Sequence, residues 1–449
     1  MLRIGGNGYM SAIITLESRL QSAKEYINNN FDSVDNNIYS HLYIGRSLPW
    51  NDEYSPDMAI MSDKDIHDTL FQRILLKQIK KENAILAIRK FVWIADTIYT
   101  RADSDTDYTD YRNWIHPESP FYVINSEGNV YKCIDNNHNS PSTKEPTGQS
   151  TDYINIQDGY VWKFMFDLDT GIKDKFLSNT WIPVPYEDNT KTATHLNIES
   201  TAVKGDIPYI RVDDGGENYT TAPEIEIRGD GTGATAIAIM NGEKIESIQI
   251  SDMGTGYTHA EVHVFGNGNG AKLTAMVSPN DGHGSNAFYE LGAFFVETSI
   301  EINGDENGIA PITGTYRNVG IVRNTLDKSG NVITDEIYNT LSIINITNSS
   351  GDFLYNEMVI GEDSYAQGIV YDDPSGTTKN VDMYMIEGTF QDGENLHGQE
   401  SGETGVYNEI NSVITDVDVL SGDILYKENI IFITRKELQN EKFIFVIEF

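Results

Sequence analysis

Apolar residues recur at helical spacing in two segments near the start of the chain. One segment follows Ser62, a suitable N-cap residue with acidic residues just after it, and the other ends at residues 28–30, which are all asparagine. The first carries Ile66, Leu70, Phe71, Ile74, Leu75 and Ile79, with Lys77, Lys80 and Lys81 towards its end, and the second carries Leu16, Leu20, Ala23 and Ile27. The pattern predicts two amphipathic helices, the first lying on a core.

Beyond about residue 120 the pattern changes to strands and turns. Two strands stand out. In the first strand, one face carries Tyr160, Trp162, Phe164, Phe166 and Leu168. The other face carries Lys163, Asp167 and Asp169 together with Val161 and Met165. This alternation predicts a half-buried strand. At the chain end, Phe443, Phe445, Ile447 and Phe449 face one way and Ile444 and Val446 the other, which predicts a strand covered on both faces, as in the middle layer of stacked sheets.

Two stretches repeat themselves after 37 or 38 residues. In the first stretch, Ile207, Ile210, Val212, Gly216, Tyr219, Ala222, Glu224, Ile225, Ile227, Gly229, Gly231, Gly233 and Ala234 recur as Ile245, Ile248, Ile250, Gly254, Tyr257, Ala260, Glu261, Val262, Val264, Gly266, Gly268, Gly270 and Ala271. In the second, Phe353, Glu357, Gly361, Ser364 and Gly368 recur as Phe390, Glu394, Gly398, Ser401 and Gly405. Repeats this short bury little core alone, so each pair is predicted to pack face to face as one small β module.

Composition indicates a globular chain with more than one packed unit. Single cores stop growing near ~250 to 300 residues, and this chain has 449 residues, of which 39% are hydrophobic. The longest apolar stretch, residues 84–99, is interrupted by Arg89, Lys90 and Asp96, so it falls short of the ~20 apolar residues of a membrane span. The first ten residues show no secretion signal. We therefore expect that the protein does not insert into a membrane and that it stays in the cytoplasm, where it is made.

The charge balance is strongly acidic, with 32 Lys and Arg residues against 68 Asp and Glu residues and a formal net charge of -36. Such a surface repels phosphate backbones, so nucleic-acid binding is disfavoured. The same charge keeps an unassembled subunit soluble. An acidic balance is equally expected in a protein from a salty environment.

Several motifs resemble sites but depart from the patterns that the chemistry requires. Cys133 is the single cysteine, which excludes an internal disulfide and indicates a small buried residue on a strand. The glycine loops at residues 229–233 and 266–270 are each followed by a strand pattern rather than a helix, so they predict tight hairpin turns with positive φ instead of a phosphate cradle.

Two further patterns suggest metal ligands. One is a spacing of acids that resembles the start of an EF-hand calcium loop, at Asp103, Asp105, Asp107 and Asp110. However, Tyr108 and Trp114 stand where that loop needs glycine and glutamate, so we predict a solvated acidic loop, with weak adventitious calcium as the alternative. His259 and His263 lie on a predicted strand about 13 Å apart, too far to share one zinc. We therefore name no catalytic, cofactor-binding or metal-binding residue, and we expect that the chain is not an enzyme and has no cofactor.

Five segments carry a resemblance to a known family: residues 43–50, 130–135, 157–169, 181–186 and 421–449. The order of these segments and their amino-acid sequences resemble those of the baseplate wedge subunit of contractile-tailed, T-even-type bacteriophages. The resemblance covers roughly residues 11–190, 285–335 and 413–449. It implies a three-layer β-sandwich with helix-bearing loops, a homodimer that contacts other baseplate wedge proteins, and a place in the virion tail.

Together, the resemblance and the repeats predict an α+β, mainly β fold with a discontinuous core. The core comprises residues 1–200, 281–335 and 413–449, and the two modules are inserted at residues 201–280 and 336–412. A rival function is a glycan-binding or glycan-degrading tail protein, because Tyr219, Tyr257, Tyr365 and Tyr371, if exposed, could stack on sugars.

Overall fold

The structure is a computed structural model that describes residues 14–31, 38–102, 120–279, 281–311, 314–436 and 438–449. Strands account for 43% and helices for 13%, so the fold is α+β and mainly β, as the sequence predicts. The helices of the described part are α1 Leu16–Phe31, α2 Asp63–Phe71, α3 Thr170–Phe176, α4 Ala193–Thr201 and α5 Ala287–Glu290, with 3-10 turns at Lys81–Asn83, Asp188–Thr190 and Glu409–Asn411.

The strands follow one another along the chain with the following bounds: β1 Ser40–Gly45, β2 Arg73–Ile79, β3 Ala84–Arg89, β4 Tyr122–Ile124, β5 Asn129–Asn136, β6 Ile154–Asn155, β7 Tyr160–Asp167, β8 Trp181–Val184, β9 Tyr209–Glu217, β10 Glu224–Gly229, β11 Thr235–Asn241, β12 Lys244–Asp252, β13 Ala260–Phe265, β14 Asn269–Met276, β15 Phe295–Asn303, β16 Gly314–Arg323, β17 Ile337–Asn339, β18 Ser342–Thr347, β19 Met358–Gly361, β20 Gln367–Asp372, β21 Lys379–Glu387, β22 Asn395–Gly398, β23 Thr404–Tyr407, β24 Asp423–Arg435 and β25 Asn440–Glu448. The chain divides into two compact units. Unit 1 comprises Met1–Lys24, Ile85–Glu297 and Val446–Phe449, and unit 2 comprises Glu25–Ala84 and Thr298–Phe445.

Both predicted helices begin where the sequence places them, but one ends early. In α1 the residues Leu16, Leu20, Ala23 and Ile27 are all buried, which confirms the amphipathic pattern. Helix α2 follows Ser62, whose hydroxyl accepts a hydrogen bond from the Asp65 amide.

The predicted continuation of α2 through Ile74, Leu75 and Ile79 is wrong, because these residues lie in β2. All seven residues of β2 are buried, and the strand pairs with β1 on one side and β17 on the other. A strand covered on both faces loses the two-residue alternation. Its apolar run therefore cannot be distinguished from a helix by spacing alone.

Unit 2 is built on a five-stranded sheet in the order β17-β2-β1-β16-β24. Its core contains Tyr43, Leu76 and Val322. Arg73 is fully buried beside them, and its guanidinium donates hydrogen bonds to Thr325 Oγ1 and to the carbonyls of Leu70, Val419 and Ser421. The buried charge therefore ties α2 to the segment that enters β24.

Unit 1 contains a four-stranded sheet in the order β4-β5-β7-β6, and β3 pairs with β8 in the same unit. The aromatic face of β7 is buried as predicted, with Tyr160, Trp162 and Phe164 at 0% exposure. The prediction that the strand is half-buried is wrong, because Lys163 and Met165 on the other face are also buried.

The final strand, β25, lies beside β15. Phe443 and Phe445 are buried, whereas Ile444 between them is 40% exposed. The predicted cover on both faces is therefore wrong for β25, because the face that carries Lys442, Ile444 and Glu448 is open to solvent. The strand is an amphipathic edge rather than a middle layer.

The first duplication, residues 207–277, forms a module within unit 1 whose two copies exchange strands. The first copy supplies β9, β10 and β11, and the second supplies β12, β13 and β14. The first strand of each copy pairs with the third strand of the other, as β9 with β14 and β12 with β11, and the middle strands β10 and β13 pair with each other. The module is therefore a pseudo-twofold body with one shared core.

The glycine loops of this module have a role in addition to the predicted turns. Gly233 and Gly270 do have positive φ, at 91° and 81°. In contrast, Gly231 leaves room for a ring of the other copy, since a Cβ there would lie 2.4 Å from Cγ of Tyr257. Gly268 faces Tyr219 in the same way, also at 2.4 Å. Each loop thus covers the buried tyrosine of the opposite copy.

The second duplication lies within unit 2 and forms a closed barrel in the order β18-β21-β20-β19-β22-β23. The copies therefore join edge to edge rather than face to face. Glu357 of the first copy accepts hydrogen bonds from the Glu400 and Ser401 amides and the Ser401 hydroxyl of the second. Glu394 accepts the equivalent bonds from Asp363 and Ser364. These two buried carboxylates brace the barrel crosswise.

Candidate functional site

Five ionisable side chains lie buried together in unit 1, and we call them the charge cluster: Lys132, Lys163, Asp206, His283 and Glu290. Lys132 and Lys163 are direct cross-strand partners on β5 and β7. Like charges placed opposite each other in a sheet repel, so this pair needs nearby acids. Glu290 of α5 and Asp206, which precedes β9, supply them.

Glu290 lies at the centre of a three-way contact. Its Oε2 accepts a hydrogen bond from Lys132 Nζ at 2.9 Å, and its Oε1 accepts one from the Gly284 amide at 2.8 Å. Burial alone raises the pKa of the Glu290 carboxyl, but the Lys132 ammonium and the contact with His283 outweigh burial and lower that pKa to about 2. Glu290 is therefore ionised at neutral pH.

His283 is neutral in this contact. Burial, together with the charge of Lys132, lowers the pKa of the His283 ring. His283 Nδ1 lies 3.1 Å from Lys132 Nζ and 3.4 Å from Glu290 Oε2, so it contacts both members of the ion pair. The Nδ1 side of the imidazole is therefore engaged in contacts within the charge cluster.

The other half of the charge cluster holds the root of the 207–277 module. Asp206 Oδ2 accepts a hydrogen bond from the Tyr153 hydroxyl at 2.6 Å. The two connections of the module are joined at Asp206 and Ser278, because the Ser278 amide donates to the Asp206 carbonyl and the Asp206 amide donates to the Ser278 hydroxyl. Lys163 donates to the Thr151 carbonyl, and its Nζ lies 5.2 Å from the centre of the Tyr153 ring.

A cavity of about 520 Å³ lies beside the charge cluster. Lys132, His283 and Glu290 line one side, and Tyr209 and Met276 of the module line another. Polar groups that converge on a pocket are typical of binding sites. Here their hydrogen-bonding capacity is directed largely at one another, so the arrangement favours fixing the module over performing chemistry.

The energy of the charge cluster supports a positioning role. Removing one partner of a buried ion pair typically costs about 3 to 5 kcal/mol, because the other charge remains buried and uncompensated. Lys132, Glu290 and Asp206 come from a core strand, a short helix and the module's root, respectively. The Lys132–Glu290 pair therefore fixes α5 against the sheet of unit 1, and the bond from the Tyr153 hydroxyl to Asp206 holds the module's root in unit 1.

The sequence candidates do not assemble into a site. Cys133 is fully buried in β5, as predicted. The acids at positions 103–110 lie outside the described residues. His263 lies on β13, and His259 just precedes it; the Nε2 atom of each lies near a carboxylate oxygen of Glu261, at 3.5 and 3.6 Å. Within the described ranges, no group of three His, Cys, Asp or Glu side chains is placed to hold a metal ion.

The aromatic platform expected for a glycan-binding protein is largely absent from its predicted positions. Tyr219, Tyr257 and Tyr371 are buried, at 4%, 4% and 1% exposure, and Tyr365 alone of the four is exposed, at 75%. The assumption that these four rings face solvent is therefore wrong. The rings of Tyr219 and Tyr257 instead fill the module's core under the glycine loops.

The charge cluster itself was not predicted from the sequence. A signal did exist for two of its members, because Lys132 and Lys163 each interrupt a run of apolar and aromatic residues. Glu290 carries no comparable signal, since it lies 158 residues from its partner Lys132.

None of the helices in the described part of the chain is long and apolar enough to cross a membrane. A scan against models of protein families finds no match to this chain, and a search of curated proteins also finds none.

Proposed function

We propose that this chain is a structural subunit of a contractile-tail baseplate wedge, located in the virion tail after synthesis in the host cytoplasm. In this role it forms a homodimer, holds neighbouring wedge proteins in a fixed relation, and takes part in the rearrangement of the baseplate at infection. Its contribution is geometric rather than catalytic.

The observation that carries the proposal is the place of four of the five family-like segments in the fold. Residues 43–45 lie in β1, residues 130–135 in β5, residues 160–167 in β7 and residues 181–184 in β8. Most of these residues are buried. A resemblance carried by core strands concerns the scaffold of a protein, which is what an assembly subunit would share with its relatives.

The modules give a second line of support. Residues 207–277 and 342–407 fall where the resemblance lapses, and each forms a small β body with its own core. Additions of this kind leave a scaffold unchanged while presenting new surfaces. The charge cluster holds the first module in place, and Glu357 and Glu394 hold the two copies of the barrel together. Rigid additions of this kind suit a protein that holds its neighbours in a fixed relation.

The proposal is tested by locating the chain in particles. Gold-labelled antibodies against the protein are expected to mark the tail end of purified virions, and deletion of its gene is expected to give heads without functional contractile tails. Normal tails after deletion, or virions without label, would contradict the proposal. The homodimer is tested separately by light scattering of the purified chain, for which a monomer mass is the adverse result.

A further inference from the structure

A surface segment of unit 2, residues 56–61, combines apolar side chains with free backbone groups. It runs between Ser55 and the N-cap of α2 without helix, strand, turn or bend. Met58, Ile60 and Met61 are 88%, 60% and 55% exposed. Contiguous apolar exposure of this kind is typical of interaction surfaces.

The backbone of this segment is unpaired within the described structure. Residues 56–61 take part in no backbone–backbone hydrogen bond among the described residues. A side chain does reach it at one point, where Asn429 Nδ2 donates to the Asp57 carbonyl. Free amides and carbonyls along an exposed, apolar stretch are a template for the addition of a strand from another protein.

Both ends of the segment are held in place. Before it, the Trp50 indole donates to the Ile430 carbonyl at 2.9 Å, and Glu53 receives a bidentate contact from Arg317. After it, Ser62 caps α2. A segment anchored at both ends loses little conformational entropy on binding, which favours association.

Charge identifies the kind of partner. Three acids flank or interrupt the segment without an ion pair in the described structure: Asp52, Asp57 and Asp63. The nearby acids Glu53, Asp65 and Asp68 are paired with Arg317, Lys427 and Lys64. A second copy in an isologous contact would bring the unpaired acids against themselves. The complementary partner is therefore basic.

We propose that residues 56–61 are a docking strand that pairs, through backbone hydrogen bonds, with an extended segment of a different protein that alternates apolar and basic residues. The inference does not depend on the baseplate proposal, which concerns the location of the chain. It would hold for a neighbour in any assembly.

The test uses the full chain and a fluorescent ten-residue peptide of alternating Lys and Val, with alternating Glu and Val as the matched peptide. We expect anisotropy to show binding of the Lys peptide and none of the Glu peptide. Hydrogen exchange is expected to show new protection of the amides of residues 58–61. Binding of both peptides alike, or of neither, overturns the inference.

Variants separate strand pairing from general attraction to an acidic surface. Ile60→Pro removes one amide donor, and the double change Met58→Ser with Ile60→Ser removes apolar contact, while both keep the net charge. Each is expected to weaken binding at least tenfold, with Ile410→Ser, at an 89% exposed site, as the control. Unchanged binding by both variants overturns the inference. So does a dimer mass that Ile60→Pro converts to a monomer, because the segment would then bind a second copy.

Discussion

His41 links the stability of unit 2 to pH through a single buried ring. It lies on β1 at 0% exposure, and its ring packs edge-on against Tyr338 at 6.0 Å between centres. Burial, reinforced by the charge of Arg73, lowers the pKa of His41 to about 4, whereas an unfolded histidine titrates near ~6.5. The unfolded state therefore binds more protons between these values.

The sign of the pH effect follows from that difference. The stability that neutral His41 contributes is complete above about pH 6.5 and is lost as pH falls towards 4. We expect the free energy of unfolding of the unit to fall by about 2 to 3 kcal/mol between pH 7.5 and 4.5 from this group. His41→Gln, which does not titrate, is expected to flatten the dependence in denaturant melts at the two pH values. An unchanged slope in that variant would contradict the assignment.

The charge cluster shows what sequence reasoning cannot supply at the level of residues. The runs around Lys132 and Lys163 show two lysines within otherwise apolar strands. Which acids neutralise them depends on folded distances, since Glu290 and Asp206 come from far along the chain. No periodic pattern in the sequence predicts such a pairing. The two lysines could therefore be recognised individually as unusual, but their acidic partners could not be predicted.

At the level of elements, spacing predicts the kind of element better than its extent. The start of α2 was predictable because a cap is a local feature. Its end was not, because the apolar residues of β2 fit both periods and the choice is made by pairing with β1 and β17. The same limit applies to β7 and β25, whose strands were predicted correctly while the burial of their second faces was not.

The glycine loops of the 207–277 module give a sharp test of strand exchange. Gly231→Ala places a Cβ against the Tyr257 ring, and we expect it to destabilise the module by about 1 to 3 kcal/mol, the usual cost of overpacking. Gly268→Ala is expected to cost a similar amount, because it meets Tyr219 in the equivalent place. Chemical denaturation measures both losses.

The matched control for the glycine loops is Gly242→Asn. Gly242 has φ 63° and no neighbour within 4 Å of a built Cβ, and asparagine tolerates that conformation. A loss below about 0.5 kcal/mol is expected there. Markedly unequal losses for Gly231→Ala and Gly268→Ala would show that the two loops are not equivalent.

Adjacent positions on β25 are expected to differ strongly in their effect on stability. Phe445 is buried at 4% exposure, so Phe445→Ala is expected to cost about 3 to 5 kcal/mol. Ile444 is 40% exposed, and Ile444→Ala is expected to cost less than about 1 kcal/mol. Thermal melts compare the two variants with the parent chain. Equal losses would mean that the second face of β25 is covered, as the sequence pattern first predicted.

At the level of the whole molecule, the 207–277 module is expected to be dispensable for folding. Its ends meet at Asp206 and Ser278, whose backbones are hydrogen-bonded to each other, so a short Gly/Ser linker can join them. The shortened chain is expected to unfold cooperatively and to keep the oligomeric state of the full chain in solution. Loss of the cooperative transition would show that the module is part of the core of unit 1.

Calcium is expected to leave the stability of the whole chain unchanged. A true site would stabilise the fold by ~2.7 kcal/mol at a hundredfold excess of ligand over its dissociation constant. Melts in calcium and in chelator are therefore expected to superimpose. A rise in melting temperature that disappears in the Asp105→Asn, Asp107→Asn double variant would reveal a site in the acidic segment.

The pseudo-twofold axis of the module makes its outer tip equivalent to its root. By the repeat offsets, Lys244 is equivalent to Asp206 and Asn241 is equivalent to Ser278. Asn241 and Lys244 close the β11–β12 pair, just as Ser278 and Asp206 close the β9–β14 pair. The chain enters and leaves through one end, while residues 242–243 cross the other. A domain spliced between Gly242 and Glu243 would be carried by the module as unit 1 carries the module. The turn at residues 242–243 is thus a second attachment point on the module, at which a further domain could be inserted without a change to the module's core.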